Sequence, residues 1–167
     1  MIREANLNDL AKIIEIKESI IEEMQELANP QWHQNYPTIE DFTKDLENNS
    51  LYVYEENNEV VGFVCITKDL EDEYQIVEKS TKADAYIIHR LGIAKNYRHL
   101  GIAYKFMKYA EHLAKMNNVY LIKADTEISN FKMNALFNKL NYNLIGNLQW
   151  QDNVGNFNYY EKNLERR

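Results

Sequence analysis

The sequence has one cysteine, two prolines, five glycines and no long apolar run. Each shortage excludes something. A single cysteine, Cys65, rules out an internal disulfide and any zinc site built from several cysteines. It sits inside the apolar stretch Val60 to Ile66, which reads as a small core residue rather than a nucleophile. So few prolines and glycines exclude collagen-like and linker-rich architectures. No window approaches the length of a transmembrane helix, and Met1-Ile2-Arg3-Glu4 has no charged-then-apolar leader, so neither a membrane span nor a secretory signal is expected. Positive charge is also short: 19 basic residues stand against 26 acidic ones, a net of −7. A general binder of nucleic-acid backbones is normally basic, so DNA and RNA are not the expected partners. A reduced, cytoplasmic compartment is the expectation.

What is present is an ordinary globular composition, 45% hydrophobic over 167 residues, enough for one domain with a real core. Ile2 to Glu4 reads as a short strand. From Asn8 to about Ala28 the apolar residues Leu10, Ile13, Ile14, Ile20, Ile21, Met24 and Leu27 repeat with helical spacing, capped by Asn6 or Asn8. Pro30 and Pro37 bracket a non-helical stretch, and Thr38 opens a second helix with Glu40 and Asp41 in its first turn. Leu51 to Tyr54 and Glu59 to Thr67 form a hairpin across Asn57-Asn58. Lys68 to Ala83 is polar and reads as a long loop, and Asp84 to Ala94 is again strand-like.

The period then changes to helix from about Gly101 to Met116, followed by a buried-type strand at Val119 to Ile122. Strand, helix and strand in this order define a βαβ unit with parallel strands. A helix from about Asn130 to Leu140 follows, then a closing hairpin near Tyr142 to Gln149 and Asn156 to Leu164. The expected fold is one α/β domain over residues 1–167. Its sheet is mixed and mostly antiparallel, with about six to seven strands, a central parallel βαβ unit and flanking helices.

The chemistry concentrates at the junction inside the βαβ unit, Leu91 to Tyr104. A helix N-terminus offers free amides and a positive dipole end, and Gly101 lets the backbone approach a ligand. Arg98 and His99, with Lys95 nearby, add positive charge, which together suits a phosphate or pyrophosphate. The plainer alternative is a turn glycine among solvated basic residues. Neither G-x-x-x-x-G-K-[ST] nor G-x-G-x-x-G occurs here, so the two standard nucleotide loops are excluded.

Arg98-His99-Leu100-Gly101-Ile102-Ala103 resembles the R/Q-x-x-G-x-G/A acetyl-CoA motif of the GNAT N-acetyltransferase superfamily. Ile88 to Ile93 looks like that family's fourth strand. Thirty-two residues after Arg98, Asn130-x-x-Met133-x-x-Leu136-Phe137-x-x-Leu140-Asn141-Tyr142 is similar to its N-x-x-A-x-x-L-Y-x-x-x-G-F segment. The helix pair, the hairpin with Glu59-Val60-Val61-Gly62, and Tyr159-Tyr160-Glu161-Lys162 fit the same order, so the likeness covers nearly the whole chain.

The resemblance implies acetyl-CoA as acyl donor, entering a gap where the fourth and fifth strands splay at a bulge. Leu91, Gly92 and Ile93 would pair with the pantetheine arm. The pyrophosphate would rest on amides from Arg98, His99, Leu100, Gly101, Ile102 and Ala103, reaching Tyr104. Asn130 and Phe137 would flank the far part of the arm. Phe137 departs from the family, since many members carry there a tyrosine that protonates the departing thiolate.

Acetylating an amine needs a base, and His89, Asp125 and Glu127 are the candidates. His89 titrates in the right range when unperturbed. The two acids close the next strand, where α/β sites gather. Each has an ordinary structural role as its alternative. Arg90 could pair with one of these acids or with a substrate carboxylate. Trp32 and Tyr36, in the loop between the first two helices, are the candidate acceptor-binding residues. Direct transfer needs no metal and no covalent enzyme intermediate. The expected function is acetyl-CoA-dependent transfer to a primary amine of a small molecule or peptide. A non-catalytic acyl-CoA-binding or sensor module is the alternative, and an interaction domain with no such site is a third. A homodimer is admitted but not required.

Overall fold

The computed structural model describes residues 1–68, 74, 76–149 and 155–165. The elements are β1 (Ile2–Glu4), α1 (Leu10–Glu26), α2 (Ile39–Glu47), β2 (Leu51–Glu56), β3 (Glu59–Lys68), β4 (Tyr86–Ile93), α3 (Ile102–Met116), β5 (Leu121–Glu127), α4 (Phe131–Lys139), β6 (Asn143–Gln149) and β7 (Asn156–Asn163). They build one sheet of seven strands in the order β1-β2-β3-β4-β5-β7-β6. Only β4 and β5 run parallel; every other neighbour pair is antiparallel.

Alternation divides the core. Leu51, Val53 and Phe63 face α1 and α2, where they meet Ile13, Ile16, Ile20 and Phe42. Tyr52, Tyr54 and Val64 face the other way, onto Phe106, Met107 and Ala110 of α3 and Phe137 of α4. Both faces are covered, so Leu51 to Tyr54 of β2 and Val60 to Ile66 of β3 are buried without alternation. A smaller cluster of Tyr74, Val77, Ile87, Phe157 and Tyr159 continues the core.

Local signals behave as the sequence predicts in most places. Asn57 and Asn58 both have positive φ, 51° and 62°, which a two-residue hairpin turn requires. Thr38 and Asp41 form a reciprocal capping box at α2. Asn6, not Asn8, does the capping at the first helix. It closes a 3-10 turn at Leu7–Asp9 that precedes α1, and Ala28 lies beyond the helix at φ 52°.

The strand read at Val119 to Ile122 starts later and runs on to Glu127. The apolar run stops at Ile122, but Lys123, Thr126 and Glu127 are buried and all seven residues pair with β7. Tertiary pairing thus extends the strand into polar sequence. The loop read at Lys68 to Ala83 lies partly outside the described residues. Its described end is tied down by Glu161, which accepts hydrogen bonds from Ser80 Oγ at 3.0 Å and from Thr81 N and Oγ1, both at 2.7 Å.

Candidate active site

The βαβ unit opens at one point. Parallel pairing of β4 and β5 ends at Ile88↔Ala124, although both strands continue. At the same level β4 bulges against β3: Cys65 faces His89 and Phe63 faces Gly92, so Val64 spans both Arg90 and Leu91. Arg90 takes φ +43°, rare for a residue with a side chain. Strict alternation would put Leu91 on the face of Ile87. The bulge moves it across, and Leu91 and Ile93 pack on the α3 side with Ile88. Gly92 then points at α1, where an added Cβ would lie 2.5 Å from the Phe63 ring, so only glycine fits that turn of the strand.

The splay leaves a cavity of about 550 Å³. It is lined from both sides of the sheet: Trp32, Tyr36 and His89 on the side of α1 and α2, Ile88, Leu91 and Phe137 on the side of α3 and α4. Asp125 and Asn130 close it from β5 and the start of α4. Of the residues singled out by sequence, the fold therefore brings together Trp32, Tyr36, His89, Leu91, Asp125, Asn130 and Phe137.

Gly92 and Ile93, at the end of β4, and the segment Arg98 to Tyr104, at the start of α3, lie outside this cavity. Gly101 caps that helix at φ +76° with no side-chain cap, and an added Cβ would meet nothing within 4 Å. His99 is also in the left-handed region, at φ 65°. The start of α3 thus has open space beside Gly101, and a helix start with room next to it suits an anion.

Three sequence expectations need correcting. First, the Arg98 charge is not offered to a ligand. Its Nη1 pairs with Glu23 of α1, and its Nε donates to the Ile93 carbonyl at 3.1 Å. The arginine fastens the end of β4 to α1. Lys95 leans on the same carboxylate at 3.9 Å. Secondly, Glu127 does not line the cavity. Its carboxylate accepts from the Ser129 amide at 2.7 Å and from the Ser129 hydroxyl, closing the turn into α4. Thirdly, His89 is not poised near neutrality. Burial, and then the neighbouring Arg90 charge, push it down to about 3, so its ring is neutral and a weak base.

Asp125 moves the other way. Burial pushes its carboxyl up to about 6, and a hydrogen bond from the Tyr74 hydroxyl, 2.6 Å, opposes that rise. Arg90 pairs with neither Asp125 nor Glu127. It grips Asp45 of α2 in a fork, Nε to Oδ2 at 2.7 Å and Nη2 to Oδ1 at 2.5 Å, and its Nη1 donates to the Tyr36 hydroxyl at 3.1 Å. Trp32 is buried and stacks on Phe63 with centroids 6.0 Å apart. Phe137 is buried between Tyr160 and Tyr142, at 4.7 and 5.6 Å. Asn130 caps α4 by accepting from Met133 N at 3.3 Å.

Sequence reasoning missed Tyr74, Asp45 and Glu23. Asp45 carried a usable signal: it lies three residues after Phe42 on a short helix, hence on the buried face. Tyr74 was signalled only as a lone aromatic in a polar stretch.

The acetyltransferase (GNAT) family model matches residues 19–142, and the chain belongs to that family. A search of curated proteins gives no significant match. Among solved structures, a GNAT family acetyltransferase from Streptococcus agalactiae is 23% identical with a TM-score of 0.86, covering 99% of this chain and 96% of that one. The yncA structure from Salmonella typhimurium with its cofactor acetyl-CoA is 15% identical, TM-score 0.73, covering 100% and 95%. Chaetomium thermophilum Naa20 in complex with a bisubstrate analogue is 13% identical, TM-score 0.76, covering 98% and 86%. At these identities the likeness is one of fold. Among the described residues no helix is long and apolar enough to cross a membrane.

Proposed function

We propose that this chain is an acetyl-CoA-dependent N-acetyltransferase that moves an acetyl group to a primary amine of a small molecule or peptide by direct attack on the thioester. The observation that carries this reading is the cavity through the sheet. Donor and acceptor can enter from opposite faces and meet at the splay without displacing each other. The donor side fits acetyl-CoA: the exposed start of α3 suits the pyrophosphate, and the unpaired edge of β4 beyond Ile88 suits the pantetheine amides. Residues Leu91 to Ile93 and Arg98 to Tyr104 would make those contacts mainly through backbone. Asn130 and Phe137 would flank the arm.

Asp125 is the base this reading favours. A free alkylamine has a pKa of about 10.4 and arrives protonated. A carboxyl at about 6 is roughly nine-tenths ionised at pH 7 and can take that proton. His89, at about 3, is about three units weaker. Glu127 is occupied by Ser129. Phe137 cannot protonate the departing thiolate. Tyr36 also lines the cavity, and its hydroxyl accepts from Arg90, which leaves the phenolic proton free to donate.

Incubating the protein with acetyl-CoA and a panel of amines, with mass detection of acetylated product, tests the reading. Acetyl-CoA binding without product from any amine would instead support the acyl-CoA sensor.

A further inference from the structure

Resting on that reading, the charges inside the cavity restrict what the acceptor can be. Among the described residues the interior of this cavity has one cation, Arg90, and four of its five N–H groups have partners. Asp45 holds it through two hydrogen bonds, and Tyr36 takes a third. The Asp45 side chain is 6% exposed and that of Arg90 16%, so the pair is a closed unit. Asp45 takes the Nε–Nη2 side of the guanidinium, Tyr36 takes Nη1, and Nη2 also meets Cys65 Sγ at 3.5 Å, so of the five N–H groups one is left, too few for a second bidentate fork.

The acids are not balanced in the same way. Asp125 lines the cavity, and among the described residues its only hydrogen-bond partner is the neutral Tyr74 hydroxyl. Asp41 also lines the cavity, bound to the Thr38 amide and hydroxyl rather than to a cation. The remaining cation in the lining, Lys44, is on the exposed side of α2. The uncompensated charge within the cavity is thus negative. An incoming ammonium finds Asp125. A carboxylate attached beside that ammonium meets the acids Asp125 and Asp45 of the lining, and the one cation there without an acidic partner among the described residues, Lys44, is at the exposed rim.

We propose that the acceptor is a primary amine carrying no anionic group next to its nitrogen, so that the cavity takes alkyl or arylalkyl amines and rejects the corresponding free α-amino acids. Asp125 receives the ammonium, and the Asp45–Arg90–Tyr36 unit denies a partner to a carboxylate. A buried anion without a partner is costly, and that cost gives the discrimination.

The test uses matched pairs that differ in one carboxylate: 2-phenylethylamine against phenylalanine, tyramine against tyrosine, and butylamine against norvaline. Phenylalanine amide serves as the control for bulk without charge. The expected result is a kcat/KM at least tenfold higher for each amine than for its amino acid, about 1.4 kcal/mol, with phenylalanine amide recovering most of the loss. The same compounds are compared for protection against thermal unfolding in the presence of CoA. Protection by the amines alone, without acetylation, upholds the charge selectivity while the transfer reading falls. One variant probes the cause. Asp45→Asn releases the Arg90 guanidinium and should shift the preference toward phenylalanine by at least threefold. If that variant fails to fold, the matched pairs on the native protein decide alone. Equal kcat/KM and equal protection within the pairs, a preference for the amino acids, a phenylalanine amide no better than phenylalanine, or no reaction and no protection from any amine would overturn the proposal.

Discussion

Asp125→Asn should make this protein more stable and less active, and the gain should depend on pH in a way no packing change can imitate. Burial raises the Asp125 carboxyl from 3.8 to about 6. The folded state therefore holds the proton more tightly than the unfolded state. Below about pH 4 both states are protonated and the residue adds no pH-dependent cost. Between about 4 and 6 the unfolded chain has lost the proton and the folded one has not, so stability falls as pH rises. Above 6 the cost is fully present.

Two units at 1.36 kcal/mol each give about 3 kcal/mol. The carboxylate faces a cavity that admits solvent, so about 1–3 kcal/mol is the working expectation. Asparagine is neutral throughout and can still accept from Tyr74, so it removes this cost without opening a hole. Urea denaturation of both proteins at pH 4 and pH 8 measures it: the variant should gain about 1–3 kcal/mol more at pH 8 than at pH 4. A difference between the two proteins that is the same at both pH values would refute the claim that an uncompensated carboxylate is held in the cavity. In the amine-panel assay the same variant should lose about 10²-fold or more in kcat/KM.

Tyr74→Phe removes the hydrogen bond that holds the Asp125 carboxyl down. A bond to a charged group is worth about 1.5–3 kcal/mol, so the acidic limb of the kcat/KM profile should move up by about one to two pH units; an unmoved limb would sever Tyr74 from the reaction. Gly101→Glu adds bulk, a strained φ and negative charge where the start of α3 opens to solvent. Its acetyl-CoA Kd, read by calorimetry, should rise at least tenfold in a folded protein, and an unchanged Kd would remove the pyrophosphate assignment. Phe137→Ala empties a site packed between two tyrosines. It should cost about 3–5 kcal/mol in urea denaturation and weaken acetyl-CoA binding, and full affinity would place the pantetheine arm elsewhere.

The parts of this structure that repeat locally could be read from the sequence. The three-and-four spacing marked α1 and α3, the paired asparagines marked the β2–β3 turn, and the strand–helix–strand order marked the parallel pair. The bulge on β4 followed from family likeness, and its level was right to within a residue or two. The partnerships that decide the site were not legible. Arg98 meets a glutamate 75 residues away, Asp125 a tyrosine 51 residues away, and Arg90 an aspartate 45 residues away. No periodicity encodes such pairings. The His89 titration failed for the same reason, because its shift comes from burial by the assembled sheet and from an arginine held in place by another helix. Polar Lys123 to Glu127 hid the length of β5, since only pairing with β7 makes a strand there.

That pairing orders events during synthesis. Strand β7 lies between β5 and β6, yet both of its neighbours precede it in the chain. Leu121 waits for Asn163, and Asn143 for Glu161. Until β7 emerges, β5 has a bare edge on one side and β6 has no sheet to join. Such edges are templates for foreign strands. The half of the sheet that carries Asp125 can close only when its central strand arrives, so the nascent chain depends longest on protection at the strand that later bears the proposed base.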